Sequence, residues 1–289
     1  MSEAAGGPRP LLASLREVIA RHDLKPKRNL GQHFLLDANL TDRIARAAGD
    51  LGEVTVVEIG PGPGGLTRSL LAAGAARVVA VEKDPRCVAA IRELAENFPS
   101  RLHVVEADAL ECDICALAPV PRRIVANLPY NIATPLLIKW LHVAPQLLGM
   151  TLMVQKEIAD RLTAAPRTSD YGRLSVIAQW LCKVQREFNV DRNAFTPPPK
   201  VTSTVVTLTP RSQPLAPAGW RSLEQVTAAA FGQRRKMLRG SLKALALDPG
   251  AAGIDPTRRA EELSVKEFCA LARVHTEKTA RQLSQRGDA

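Results

Sequence analysis

The sequence predicts an α/β fold: an open parallel sheet with helices between its strands, followed by a small helical C-terminal domain. Short β-branched or apolar runs at residues 54–59, 78–81, 102–105 and 123–126 alternate with stretches of helical periodicity. The first three runs lead into Gly60, Glu82 and Asp108, and the carboxyl ends of such strands are where an open parallel sheet forms its ligand crevice. Beyond residue 209 the pattern is helical only.

Composition sets the limits within which the elements are read. A chain of 289 residues, 46% hydrophobic, can bury a full core, and the break in pattern suggests a large domain over 1–209 and a smaller one over 210–289. Lys and Arg number 39 against 29 Asp and Glu, a balance of +10 that suits a phosphate-bearing partner and equally an ordinary basic enzyme. Residues 209–289 hold 14 of these cations against 8 acids. Cys87, Cys112, Cys115, Cys182 and Cys269 are odd in number and scattered, which argues against a disulfide framework and fits a reducing cytoplasm. Cys112 and Cys115 have metal-ligand spacing without a second pair, so no metal is expected. Arg16 and Glu17 interrupt the N-terminal apolar run before it could serve as a signal core. The apolar stretch 124–154 carries Asn127, Pro129, Asn131, Pro135, Lys139 and His142, and so reads as core rather than bilayer.

Residues 11–19 have helical spacing, and 21–28 form a basic segment with Lys25, Lys27 and Arg28. An amphipathic helix over 37–48 places Leu40, Ile44 and Ala47 on one face. The strand at 54–59 runs into Gly60-Pro61-Gly62-Pro63-Gly64-Gly65 and a helix over 66–73, a Rossmann-like strand, turn and helix. Gly60, Gly62 and Gly65 satisfy the dinucleotide spacing. Pro61 and Pro63, however, each remove an N–H that would hold a pyrophosphate, so a ligand without phosphates fits better. Glu82, about 20 residues beyond the turn, can accept both hydroxyls of a ribose such as NAD or S-adenosylmethionine carries. After a helix over 85–97, the next strand brings Asp108 toward an adenine amino group, unless it serves as a helix cap. The fourth strand delivers Asn127 to the same crevice.

Asn127-Leu128-Pro129-Tyr130 suits an exocyclic amine. Such a nitrogen is a poor nucleophile because its lone pair is delocalised into the ring, and acceptors aimed at its hydrogens favour the tetrahedral form. Asn127 offers a side-chain carbonyl, Pro129 fixes a turn that directs the Leu128 carbonyl, and Tyr130 adds a ring for stacking. By itself the stretch is equally an Asn-Pro turn with a core tyrosine. Phe195 precedes three prolines that hold the backbone extended; exposed, it would be a stacking platform worth about 1–3 kcal/mol, and on its own it reads as core. A strand over 203–208 and a Pro- and Ser-rich linker over 209–219 lead to the C-terminal helices. There Arg234, Arg235 and Lys236, with Arg239 and Lys243, form a docking surface for RNA or a solvated helix face.

These motifs do not stand alone. With Asn29-Leu30-Gly31-Gln32, Glu58-Ile59-Gly60-Pro61-Gly62, Gln155-Lys156-Glu157, Tyr171-Gly172-Arg173-Leu174-Ser175, Phe195-Thr196-Pro197-Pro198-Pro199-Lys200-Val201 and Phe231-Gly232-Gln233-Arg234-Arg235-Lys236, the Asn-Leu-Pro-Tyr stretch resembles the ribosomal RNA adenine N6,N6-dimethyltransferases. Within them it is similar to the bacterial small-subunit branch, which dimethylates two adjacent adenosines in the 3′-terminal hairpin loop of 16S rRNA. The resemblance spans residues 27 to 268. It implies an S-adenosylmethionine-dependent methyltransferase domain, with cofactor contacts at His33, Leu35, Gly60, Glu82, Asp108 and Asn127. It further implies an acceptor site at Asn127, Leu128, Tyr130 and Phe195, with the target base sandwiched between the two rings, and RNA contacts at Arg234, Arg235 and Lys236. A monomer acting on 16S rRNA within the small-subunit precursor is expected. The family often has Asn where this chain has His33, so the resemblance implies a backbone contact there. Two alternatives are a 23S dimethyltransferase of the macrolide-resistance type and a non-catalytic assembly factor. The 171–175 and 231–236 stretches disfavour the first, and intact Gly60, Glu82, Asp108 and Asn127 the second.

Overall fold

The computed structural model describes residues 12–27 and 31–287. The chain divides into two compact units, one comprising the residues up to Lys139, Gln146–Gln155 and Glu187–Thr207, the other Trp140–Pro145, Lys156–Arg186 and the residues from Leu208 onward. The sequence suggests one crossing near residue 209, and the structure has several. The last of them, from Thr207 to Leu208, lies inside the strand Ser203–Pro210, just before the Pro- and Ser-rich stretch. The crossings fall within or between regular elements, and a helix or strand that carries the chain from one unit to the next needs no proline or glycine to mark the place.

In the first unit, α1 (Leu15–Arg21) starts at a capping box in which Ser14 and Glu17 satisfy each other's backbone N–H groups. β1 (Phe34–Leu35) is followed by α2 (Ala38–Ala47), capped by the Asp37 carboxylate. Then β2 (Thr55–Ile59), α3 (Gly65–Ala72), β3 (Arg77–Glu82), α4 (Pro85–Ala95), β4 (Leu102–Glu106), α5 (Ile114–Leu117) and β5 (Arg122–Asn127) alternate as the sequence predicts. α6 (Ala133–His142), β6 (Gly149–Gln155), β7 (Cys182–Val190), β8 (Phe195–Thr196) and β9 (Ser203–Pro210) complete the strands and the helices between them. Seven strands form a sheet in the order β4-β3-β2-β5-β6-β9-β7, and β2 through β6 pair in parallel. β2 is buried throughout and β3 from Val78 on, which is why both read as continuous apolar runs rather than alternating ones. The order turns back at β2, with β3 and β4 on one side and β5 and β6 on the other. That reversal opens a crevice at the carboxyl ends of β2 and β5. β1 and β8 make a separate antiparallel pair, Leu35 opposite Phe195.

The second unit contains α7 (Lys156–Thr163), α8 (Arg173–Leu181), α9 (Trp220–Gly232), α10 (Leu238–Ser241) and α11 (Val265–Gly287). Its centre is aromatic: Tyr171 meets Phe231 edge-on with ring centroids 5.9 Å apart, and Phe231 lies 5.3 Å from Phe268. Leu223, Val226 and Ala230 of α9 and Leu271 and Ala272 of α11 are fully buried. No described helix is long and apolar enough to cross a membrane.

Candidate active site

The carboxyl ends of the central strands surround a cavity of about 230 Å³ lined by residues 31–35, 58–63, 81–83, 107–109 and 127–132, with Gly65 and Leu66. His33, Leu35, Gly60, Glu82, Asp108, Asn127, Leu128 and Tyr130 all line it, and all belong to the first unit. Among the described residues, no group of His, Cys, Asp or Glu is arranged to hold a metal ion.

The floor is the turn between β2 and α3. Gly62 has φ +55°, and a Cβ there would come within 3.2 Å of the Phe34 ring; at Gly65 a Cβ would meet the Leu35 carbonyl at 2.8 Å. The turn's N–H groups are already used within the protein: Gly60 donates to Val81 O at 2.9 Å, Gly62 to Glu82 Oε2 at 3.2 Å and Gly64 to Pro61 O at 3.0 Å. With Pro61 and Pro63 offering none, the loop suits a ligand without phosphates here.

Glu82, at the end of β3, does more than face a ribose. Its Oε1 accepts from Lys83 N and Asp84 N, each at 2.8 Å, and its Oε2 from Gly62 N, so the carboxylate locks the glycine turn to the neighbouring strand. Burial pushes its pKa up against these bonds, and two carboxylate oxygens still retain lone-pair capacity for a ligand hydroxyl. Asp108 accepts from Leu110 N at 2.9 Å and from Lys83 Nζ at 2.6 Å, and the Lys83 bond holds its pKa low. Lys83 had no sequence signal. Glu58 did, as an acid inside the apolar run of β2. It is 1% exposed, its Oε2 has no partner among the described residues, and burial raises its pKa to about 8. The unpartnered oxygen on the cavity wall is left to hydrogen-bond a polar group of a ligand, and a cationic group beside it would draw the carboxyl's pKa back down.

The Asn127 side chain donates through Nδ2 to the His33 carbonyl at 3.3 Å. That bond takes the donor end of the amide and leaves the Oδ1 carbonyl as the end free to accept. The Tyr130 hydroxyl bonds to Ser203 Oγ at 2.7 Å, which fixes the ring plane. His33 stacks on Tyr130, centroids 5.6 Å apart and planes 28° apart, and its Nδ1–H donates to the Pro197 carbonyl at 2.7 Å. Gln32 donates to Asp84 Oδ2 at 3.0 Å and ties the segment before His33 to the end of β3.

Phe195 departs from the expectation of an exposed stacking ring. It is 2% exposed, packs in the core beside Leu35 and does not line the cavity. The prolines do hold the chain extended, but the extended segment pairs with β1 as β8 and turns the ring inward. Between Phe195 and Tyr130 lies His33, whose ring meets Phe195 edge-on at 6.4 Å. In the second unit, Arg234 is committed to Glu261, at 3.0 Å, and to the Thr168 carbonyl, at 3.2 Å. Arg235, Lys236, Arg239 and Lys243 are exposed and make no salt bridge to the described residues.

Comparison with known proteins adds the following. The family model described as ribosomal RNA adenine dimethylase matches residues 23–277. The chain is 61% identical to the ribosomal RNA small subunit methyltransferase A of Rhodospirillum rubrum, covering 93% of this chain and 95% of that one. It is 62% identical to the protein of the same name from Paramagnetospirillum magneticum, covering 91% and 94%. Among solved structures it is similar to a dimethyladenosine transferase from Plasmodium falciparum, at 27% identity and TM-score 0.75 over 86% of this chain and 98% of that one. It is also similar to the 23S rRNA methyltransferase ErmE, at 30% identity and TM-score 0.64 over 84% and 99%.

Proposed function

Because the chain belongs to the ribosomal RNA adenine dimethylase family, we propose that it dimethylates N6 of two adjacent adenosines in the 3′-terminal hairpin loop of 16S rRNA, using S-adenosylmethionine. It acts as a cytoplasmic monomer on the precursor of the small ribosomal subunit. The far higher identity to small-subunit methyltransferases than to the 23S enzyme favours this substrate over 23S rRNA.

The observation that carries the reading is the orientation of Asn127, with its donor end tied to the His33 carbonyl and its carbonyl end left as an acceptor. S-adenosylmethionine, when bound, supplies an electrophilic methyl on a sulfonium centre. Glu82 and Asp108 would hold its ribose hydroxyls and its adenine amino group, the Gly60 turn leaves room beside them, and a cationic group beside Glu58 would favour that acid's ionised form. Asn127 Oδ1 and the Leu128 carbonyl accept the hydrogens of the target amine and so draw its lone pair out of the ring. Tyr130, held by Ser203, supports the base by stacking. No side chain needs to act as a base, because the amine loses its proton to water once it carries the new methyl. Positioning of two bound reactants supplies much of the acceleration.

Mass spectrometry of 16S rRNA from a strain lacking the gene tests this directly. The adjacent dimethyladenosines should disappear and return on complementation. Unchanged dimethyladenosine would overturn the proposal.

A further inference from the structure

The stretch Asn29-Leu30-Gly31-Gln32 ends in a side chain with no part in the chemistry above. Gln32 stands near the start of the cavity wall formed by residues 31–35, and both ends of its amide are taken by the protein. Nε2 donates to Asp84 Oδ2 at 3.0 Å, and Oε1 accepts from Lys27 N at 2.9 Å. Asp84 is 1% exposed and lies two residues beyond Glu82, the last residue of β3. Its N–H donates to Glu82 Oε1 at 2.8 Å. Its carboxylate caps α4 by accepting from Arg86 N at 3.2 Å, and it receives Arg86 Nη2 at 2.7 Å. Residue 84 therefore bonds in two directions, through its backbone to the carboxylate that faces the ribose and through its side chain to the segment that carries His33 and Leu35.

We propose that Gln32 and Asp84 are a positioning pair that fixes the 31–35 wall against the end of β3, so that His33 and Leu35 on one side and Glu82 on the other meet S-adenosylmethionine at a set spacing; this rests on the methyltransferase reading above. A ligand held by two separate backbone segments binds best when their separation is fixed before it arrives, because freedom left in either is lost on binding. β3 is fixed by its pairing with β2 and β4. The 31–35 segment has only the two-residue pairing of β1 with β8, the His33 bond to the Pro197 carbonyl and the Asn127 bond to the His33 carbonyl. Phe34 packs in a cluster with Cys87 and Ala90 of α4, a contact that holds the segment down but is not directional. The Gln32 bond is directional, and it runs to the cofactor strand. It also ends on a charge. The Arg86 guanidinium, against burial and with Gln32 adding to the effect, holds the Asp84 carboxyl down to about 2, so the acceptor is ionised at neutral pH and the bond is of the stronger, charge-assisted kind.

Gln32→Leu removes this bond, keeps much of the side-chain volume and leaves Asp84 its cap and its arginine. Calorimetry with S-adenosylmethionine should show affinity weaker by about 10-fold, the lower end for loss of a hydrogen bond to a charged group, because the other ties remain. Gln32→Glu sets two carboxylates against each other and should lose at least as much. Adding Asp84→Asn turns the bond round, with an asparagine amide donating to a glutamate, and asparagine still caps α4. The double variant should recover most of the affinity that Gln32→Glu loses, which separate structural parts for the two residues would not produce. Wild-type affinity in Gln32→Leu overturns the inference, and so does a double variant no better than Gln32→Glu. Thermal melting reports whether each variant folds. Should Gln32→Glu not fold, Gln32→Leu and Asp84→Ser, whose short side chain caps α4 without reaching Gln32, form a double-mutant cycle in which additive losses overturn the inference. If the unmutated protein binds no S-adenosylmethionine, the proposed function fails and this inference with it; binding that the unmutated protein shares equally with every variant removes the inference alone.

Discussion

At the scale of single residues, the two informative side chains are the ones whose hydrogen bonding is incomplete. Asn127 has one end of its amide engaged and the other presented to the cavity. Asn127→Ala should leave folding intact, because a half-buried amide with a single bond contributes little, while methyl transfer falls about 10²–10³-fold, as for removal of one preorganised polar group. Single-turnover rates at saturating cofactor and RNA check this, and a wild-type rate would reduce Asn127 to a turn residue. Glu58 is incomplete in the opposite sense, a buried acid with an unpartnered oxygen and a pKa raised from 4.5 to about 8. Between those two values the folded protein holds a proton that the unfolded chain has released. Stability therefore falls as pH rises from 4.5 and levels off above 8, by on the order of 5 kcal/mol across the window. Glu58→Gln should remove that slope. Urea unfolding of both proteins at pH 5, 6.5 and 8 measures it, and a constant difference between them would show that Glu58 does not titrate there.

At the scale of elements, β3 and the glycine turn act as one piece through Glu82, whose carboxylate accepts three backbone N–H groups before any ligand arrives. Glu82→Ala should thus do two things at once. Cofactor binding weakens by roughly 1.5–3 kcal/mol, as for loss of charge-assisted hydrogen bonds, and the melting temperature drops because Gly62, Lys83 and Asp84 lose their acceptor. Calorimetry with unchanged affinity would contradict the first, an unchanged melt the second. Strand, turn and helix were legible around Gly60 because β-branched runs, glycines and helical periodicity are local signals, and Glu82, Asp108 and Asn127 followed from strand ends alone. Phe195 on its own reads as core, as it is found, and it was the resemblance that placed its ring in the acceptor site. Its three prolines do dictate an extended backbone, but which face of that backbone meets the core is settled by Leu35, some 160 residues earlier, through the β1–β8 pairing. Lys83 and the His33–Tyr130 stack were hidden for the same reason, since each depends on a partner distant in sequence. The division of the chain was legible only near residue 209, where the crossing at Thr207 and Leu208 is followed within a few residues by the Pro- and Ser-rich stretch.

At the scale of the whole molecule, charge is the property that reaches beyond any one site, and the structure refines which charges are free to be used. Of the +10 formal balance, more than half lies from residue 209 onward. Within the 234–236 stretch, Arg234 is held by Glu261 and the Thr168 carbonyl, both in its own unit. Arg235 and Lys236 are exposed and carry no such commitment among the described residues. Replacing all three with Gln should weaken binding to RNA or to small subunits and flatten its dependence on salt, each lost phosphate contact lowering the logarithmic slope by about 0.9. With Arg234 already paired, the change in slope should be near two contacts rather than three. Arg234→Gln alone should lower the thermal stability of the chain and leave the slope almost where it was. Titrations of RNA binding at several salt concentrations separate these contributions. A triple variant with the wild-type slope would reduce the stretch to a solvated turn between α9 and α10, and a single Arg234 variant that takes a full contact from the slope would mean that RNA displaces Glu261.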